Sequence, residues 1–281
     1  MRRLFQLFLL VLGLQLTFGQ TKTKLYYEVS KTRDTITYFA DNPEIFPVSI
    51  SFSEKPILEN MRFERPFQNR YVLNSETVKN KIISFVLMNK SKKWGVKLMP
   101  SYRTFVGDLT VSAYDKDYVY DLPFKKGQTF ELYQGYNGTF SHQNENALDF
   151  IMPEGTEILA AREGKVIGMV QHNKSGCATV KCADLGNYIK ILHSDGTIAD
   201  YFHLQHNGAK VKLGQEIQKG ELIGLSGNTG WSNGPHLHFV SYLPSDSAEE
   251  RGRKTIKTLF KTDQMPKGEY LQAKAKYYKN Y

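Results

Sequence analysis

His236 and His238 are separated only by Leu237 in the stretch Asn233-Gly-Pro-His-Leu-His-Phe-Val-Ser-Tyr242, which is otherwise built for burial. After Pro235 the branched and aromatic residues read as a β-strand. Alternation along a strand then sets Leu237 and Phe239 into a core and leaves both imidazoles on the opposite face, roughly 7 Å apart. Two neutral imidazoles sharing a face serve a metal ion, a proton relay or both; a merely His-rich solvent face is the plain alternative. A hydrolytic zinc site needs three protein ligands and an open position for water. The candidates here are His142, Asp149, His172, His193, His203, His206, His236 and His238. Asp149 lies in Ala147-Leu-Asp-Phe-Ile-Met152, whose neighbours call for burial. A buried carboxylate must be paired, bound to a cation or held by backbone N–H groups. His142 precedes it by seven residues, a loop long enough to fold the imidazole back beside it. His203, in Tyr201-Phe-His-Leu204, is expected on the same strand face as Tyr201, as a third imidazole for the His236/His238 pair.

The elements that must position these residues are strands. Gly, aromatic residues and short alternating segments are frequent, and long amphipathic helical stretches are not evident, so the chain is expected to be all-β. Strand candidates include Pro47–Ser53, Lys81–Met88 and Trp94–Met99 in the first part. In the second they include Thr156–Ala161, Gly164–Val170, Asn187–Leu192 and Ile198–Leu204. Residues 20–124 hold no histidine or cysteine and read as an N-terminal β-sandwich-like accessory domain. Leu122–Gly127 reads as the connection to the unit that carries all seven histidines. From 245 to 281, nine Lys/Arg against five Asp/Glu make a basic C-terminal extension, either wrapped on the preceding unit or solvated.

Residues 1–19 have a basic start, a short apolar run and a small residue near Gln20, the pattern of a secretory signal peptide; an uncleaved anchor is the alternative. The expected product is exported, periplasmic or extracellular, with no transmembrane anchor after cleavage. Export also gives the two cysteines, Cys177 and Cys182, a local disulfide as their first reading, placed away from the chemistry. Half of a four-Cys zinc site is the other reading, and no second pair exists to complete it. Losing Arg2 and Arg3 lowers the formal charge from +9 to +7. Such a basic surface favours anionic envelope polymers, whereas no aromatic-basic motif points to nucleic acid.

Four motifs in order carry a family resemblance: His142 with Asp149-Phe-Ile-Met-Pro-Glu-Gly-Thr, then Tyr201-Phe-His203-Leu, Gly227-Asn-Thr-Gly and Gly234-Pro-His236-Leu-His238-Phe. Together they resemble the M23 zinc metallopeptidases, the lysostaphin-type or LytM domain, over roughly residues 130 to 243. The resemblance implies an antiparallel β-sheet metallopeptidase domain, set at 125–244, holding one Zn2+ through His142, Asp149 and His238. It makes His203 and His236 the catalytic histidines that do not bind the metal, and peptidoglycan peptides the substrate. The family commonly spaces its first His and Asp four residues apart, so the seven found here depart from that pattern. His172, His193 and His206 match no motif and read as structural or surface residues.

The expected activity is zinc-dependent hydrolysis of peptide bonds in bacterial peptidoglycan. There is no HExxH motif, so a helix-borne Glu is not the base. The alternative function is a non-catalytic LytM-type regulator that binds and activates other cell-wall hydrolases. A lipoyl- or biotinyl-type carrier, suggested by Val211-Lys-Leu-Gly-Gln-Glu-Ile-Gln-Lys-Gly-Glu-Leu-Ile-Gly224, has no need of a His/Asp cluster.

Overall fold

A computed structural model describes residues 21–281; the expected signal segment, 1–19, lies outside them. Among the described residues the only helix is a short 3-10 turn, Val180–Leu185, and everything else regular is strand. None of the described helices is long and apolar enough to cross a membrane. The chain divides into two compact units between Asp108 and Leu109.

In the first unit, Lys24–Val29, Thr35–Asn42, Thr77–Leu87 and Met61–Phe63 form one sheet in that spatial order. A second sheet runs Arg70–Leu73, Val48–Phe52, Tyr102–Val106. Both sheets feed one core, with Ile36, Ile83 and Phe85 from the first and Ile50, Phe52 and Leu73 from the second, the arrangement of a β-sandwich. Val48–Phe52 departs from its alternating sequence, since all five of its residues are buried. As the central strand it also buries the polar positions, and Ser49 is satisfied by donating to the Gly107 carbonyl at 2.9 Å.

The second unit is built on a nine-stranded sheet. Its middle is antiparallel: Tyr188–Leu192, Ile198–Phe202, His236–Pro244, Ala147–Ile151 and Thr129–Gln134 are neighbours in that order. One face is a closed core in which Leu148, Phe150, Ile189, Tyr201, Leu237 and Phe239 are essentially inaccessible. The register sets the other face. Asp149 pairs with His238, and His238 with Phe202, so one cross-strand row carries all three side chains side by side.

The unit boundary lies well before the connection expected at 122–127. Tyr120, Leu122 and Phe124 belong to the second core, and burial of these large apolar side chains ties their segment to it. Residues 245–281 are likewise integral to that unit. Arg253–Ile256 and Lys276–Tyr278 are strands of the nine-stranded sheet, and Leu259–Phe260 pairs in parallel with Val119–Tyr120.

Candidate active site

Asp149, His236 and His238 occupy the open face of the two central strands, and Asp149 is the fixed point around which the rest gathers. It is 6% exposed, and its Oδ1 lies 2.9 Å from His238 Nδ1 and 3.8 Å from His236 Nε2. Its Oδ2 is 3.2 Å from His142 Nε2 and accepts from Gln134 Nε2 at 2.9 Å. Burial pushes this carboxyl's pKa up, but the hydrogen bonds and charges of His142 and His238 prevail and hold it well below the usual carboxylate range.

His142 is brought in by the loop between the 129–134 and 147–151 strands. Its Nδ1–H donates to the Gly135 carbonyl at 3.1 Å, which fixes the tautomer and turns Nε2 inward. That Nε2 lies 3.3 Å from His238 Nδ1. Burial works against protonation of His142, yet its hydrogen bond and charge contact with Asp149 raise its pKa. Ligand atoms of His142, Asp149 and His238 thus lie within 4.8 Å of one another. Two imidazole nitrogens and a carboxylate oxygen aimed at one point repel unless protons or a cation sit among them. With one ring nitrogen of His142 already committed to a backbone carbonyl, this donor set suits a divalent zinc ion.

His203 reaches the site differently from the strand alternation expected for it. The strand ends at Phe202, and His203 takes a left-handed conformation at φ 64°. Tyr201 points into the core, where its hydroxyl accepts from the Ala161 N–H at 2.8 Å, and Phe202 faces the site with its ring 6.2 Å from that of His238. The break in the strand swings His203 over to this side, its ring centroid 4.5 Å from that of His236. Each of these two imidazoles donates through Nδ1 to a backbone carbonyl, His203 to Thr229 at 2.7 Å and His236 to Gly234 at 2.8 Å. Their Nε2 atoms therefore carry lone pairs. Burial, reinforced by the charges of His236 and His238, lowers the His203 pKa to about 3, and burial lowers that of His236.

Several residues that position these side chains had no role assigned to them from the sequence. Gln134, at the end of its strand, donates through Nε2 to Asp149 and to Ser141 Oγ, and accepts at Oε1 from the N–H groups of Phe140 and Ser141. It therefore ties the His142 loop to the carboxylate. Thr229 stood in a quoted motif without a role. Its carbonyl holds His203, while its hydroxyl accepts from Asn187 N–H and donates to the Leu204 carbonyl. Gly230, at φ 82°, lies so close to Gly186 that a Cβ would meet its Cα at 2.6 Å, which explains the glycine that ends this motif.

A groove of about 550 Å³ runs over the site, with Tyr133, Phe140, Ile151, Phe202 and Trp231 as its apolar lining. The cysteines are joined, Cys177 to Cys182. Contrary to the expectation from sequence, the bridge is not remote from the chemistry. Gly176–Cys177 pairs with Gly230–Trp231, and Ala183 of the same loop lines the groove. His193 lies in the core side of the unit with Nδ1 donating to the Glu163 carbonyl at 2.6 Å, outside the site. His172 and His206 are not brought into the cluster.

Residues 143–248 match the model of peptidase family M23, a match that begins one residue after His142. The peptidoglycan DD-endopeptidase ShyA of Vibrio cholerae is 29% identical over 180 residues, 63% of this chain and 39% of that protein. The glycyl-glycine endopeptidase ALE-1 of Staphylococcus capitis is 34% identical over 139 residues, 49% of this chain and 34% of that one. The catalytic domain of lysostaphin from Staphylococcus simulans aligns at 29% identity over 46% of this chain and 87% of that structure, with a TM-score of 0.34. The chain thus spans between 34% and 39% of the length of the two endopeptidases it matches.

Proposed function

We propose, from a chain that carries a peptidase family M23 domain at 143–248, that this protein is an exported zinc-dependent endopeptidase cutting peptide bonds of bacterial peptidoglycan. The observation that carries the reading is the convergence of His142, Asp149 and His238 beside two further imidazoles with free Nε2 atoms. His142 Nε2, an Asp149 oxygen and His238 Nδ1 would hold the metal. A zinc ion in that position supplies Lewis acidity to a carbonyl and lowers the pKa of water towards neutrality. The protein's own groups do the rest.

His203 and His236 stay neutral at physiological pH, so each Nε2 is ready to take a proton from the attacking water and to pass one to the leaving amine. The carbonyls of Thr229 and Gly234 hold the Nδ1 protons in place, so that neither ring can turn its lone pair away. The groove holds an extended peptide across the site, with Phe202 and Trp231 excluding water from its apolar stretches. A non-catalytic regulator would have no use for this set, in which the rings of His142, His203 and His236 are each fixed by a backbone carbonyl. Localisation outside the cytoplasm and attraction to anionic envelope polymers belong to the same reading, supported by the leader pattern at 1–19 and the basic charge.

Side-by-side zinc content and turnover on purified peptidoglycan separate the roles. Asp149→Ala and His238→Ala should lose both. His203→Ala and His236→Ala should keep the metal and lose roughly 10²- to 10⁴-fold in rate, the usual cost of a missing general base or transition-state donor. Stoichiometric zinc in both of the first two variants would sink the ligand assignment. Full turnover in both of the latter would sink the enzyme reading.

A further inference from the structure

We propose that Arg251 is a specificity-determining residue that binds a free carboxylate on the peptide lying in the groove. The inference rests on the endopeptidase reading above and narrows its substrate class to acidic peptides, as opposed to uncharged glycine runs.

Four acidic or basic side chains other than histidine and the Tyr133 phenol line the groove: Glu145, Asp149, Arg251 and Arg253. Three of them are spoken for. Glu145 gives both oxygens to Arg253 NH2 at 2.9 Å each, and Arg253 NH1 also lies 3.7 Å from the fully buried Asp200. Asp200 is further neutralised by Lys190 Nζ at 2.5 Å. Asp149 is turned onto the histidines. Arg251 is exposed and has no acidic partner among the described residues, so it leaves the groove with one uncompensated positive charge.

The register shows which end of the groove this is. Arg253 is paired with Pro244, and its guanidinium reaches back to Asp200, which pairs with Val240, two residues beyond His238. Arg253 is thus spent inside this end of the groove, and Arg251, two residues away in the same hairpin, lines it with its charge free. The turn itself does not ask for an arginine. Arg251 and Gly252 both have positive φ, 48° and 90°, a conformation that glycine or asparagine adopts more readily than a long side chain. Backbone bonds from Ser245 N–H to Gly252 O and from Arg253 N–H to Glu250 O close the hairpin and hold Arg251 at the groove. A guanidinium presented there forms charge-assisted, bidentate hydrogen bonds with a carboxylate and none of comparable strength with its amide.

The test uses two uncleavable peptide analogues of one sequence, identical except that the side-chain carboxylates flanking the scissile position are free in one and amidated in the other. The zinc-loaded protein should bind the acid about tenfold more tightly than the amide, as expected for one charge-assisted pair. Arg251→Gln should bring the two affinities together with zinc content unchanged, and Arg251→Lys should keep part of the preference. On the matching cleavable peptides, kcat/KM should show the same discrimination through KM. Equal affinities in the wild type, or an undiminished preference in Arg251→Gln, would overturn the proposal. Preference for the acid with no hydrolysis of either cleavable peptide would support the role of Arg251 and sink the endopeptidase reading.

Discussion

Replacing Gln134 by Met keeps the side-chain volume and removes every hydrogen bond its amide makes. Four are lost: to Asp149 Oδ2 at 2.9 Å, to Ser141 Oγ at 2.8 Å, and from the N–H groups of Phe140 and Ser141 at 3.1 Å each. The bond to the carboxylate is charge-assisted and contributes roughly 1.5–3 kcal/mol, each of the others about 1 kcal/mol. Phe140 and Ser141 are exposed, so water can replace part of what their N–H groups lose, and the cost to global stability stays well below that sum. The larger effect falls on the metal site. Without Gln134 the loop that carries His142 is no longer tied to Asp149, and His142 must be ordered at the moment of binding. Partners that orient metal ligands in this way typically cost 10- to 100-fold in metal affinity when removed, or about 1.4–2.7 kcal/mol. Competition for zinc against a chromophoric chelator measures this directly, with circular dichroism to verify the fold. A folded Gln134→Met protein whose zinc dissociation constant stays within about twofold of the parent would refute the reasoning, because the amide would then not be what holds the ligands together.

Gly230→Ala should retain zinc but slow catalysis, because its Cβ would strike Gly186 at 2.6 Å and displace the Thr229 carbonyl that holds His203; unchanged turnover would show that His203 needs no such support. Cys177→Ser with Cys182→Ser should keep the metal and raise KM, since the bridged loop forms part of the groove wall, at a stability cost of about 2 kcal/mol for so short a loop. An unchanged KM would return the bridge to a purely local role. His193 is held neutral by burial, which lowers its pKa from 6.5 to about 4. The unfolded imidazole gains its proton first, so the stability this group contributes is complete above its unfolded pKa and declines as pH falls towards the folded one. Calorimetric unfolding should lose about 2 kcal/mol more between pH 7 and pH 5 in the wild type than in His193→Gln. Equal losses in the two proteins would show that His193 is not the titrating group.

The sequence by itself determined a good deal about this protein. An all-β class was legible because period-two alternation is local: Gly164–Val170 and the start of the strand at His236 could be read from their own residues. The same alternation placed His236 and His238 on one face, and the burial demanded by Leu148 and Phe150 marked Asp149 as a carboxylate in need of partners. Register and backbone breaks lay beyond local pattern. Which strand lies beside which is decided by the sum of long-range packing, so the row Asp149–His238–Phe202 exists only once the sheet is assembled. His203 faces the site because its strand stops one residue earlier and the chain turns left-handed, a conformation enforced by contacts with Thr229 that are distant in sequence. Gln134 had nothing local to distinguish it from any polar residue at a strand end, and became a hub only when the loop folded over it. The placement of 109–124 and 245–281 was decided in the same way. Those segments are short and mixed in composition, and only the complementary surface of the second core gives their Tyr120, Leu122, Phe124 and Phe260 somewhere to be buried.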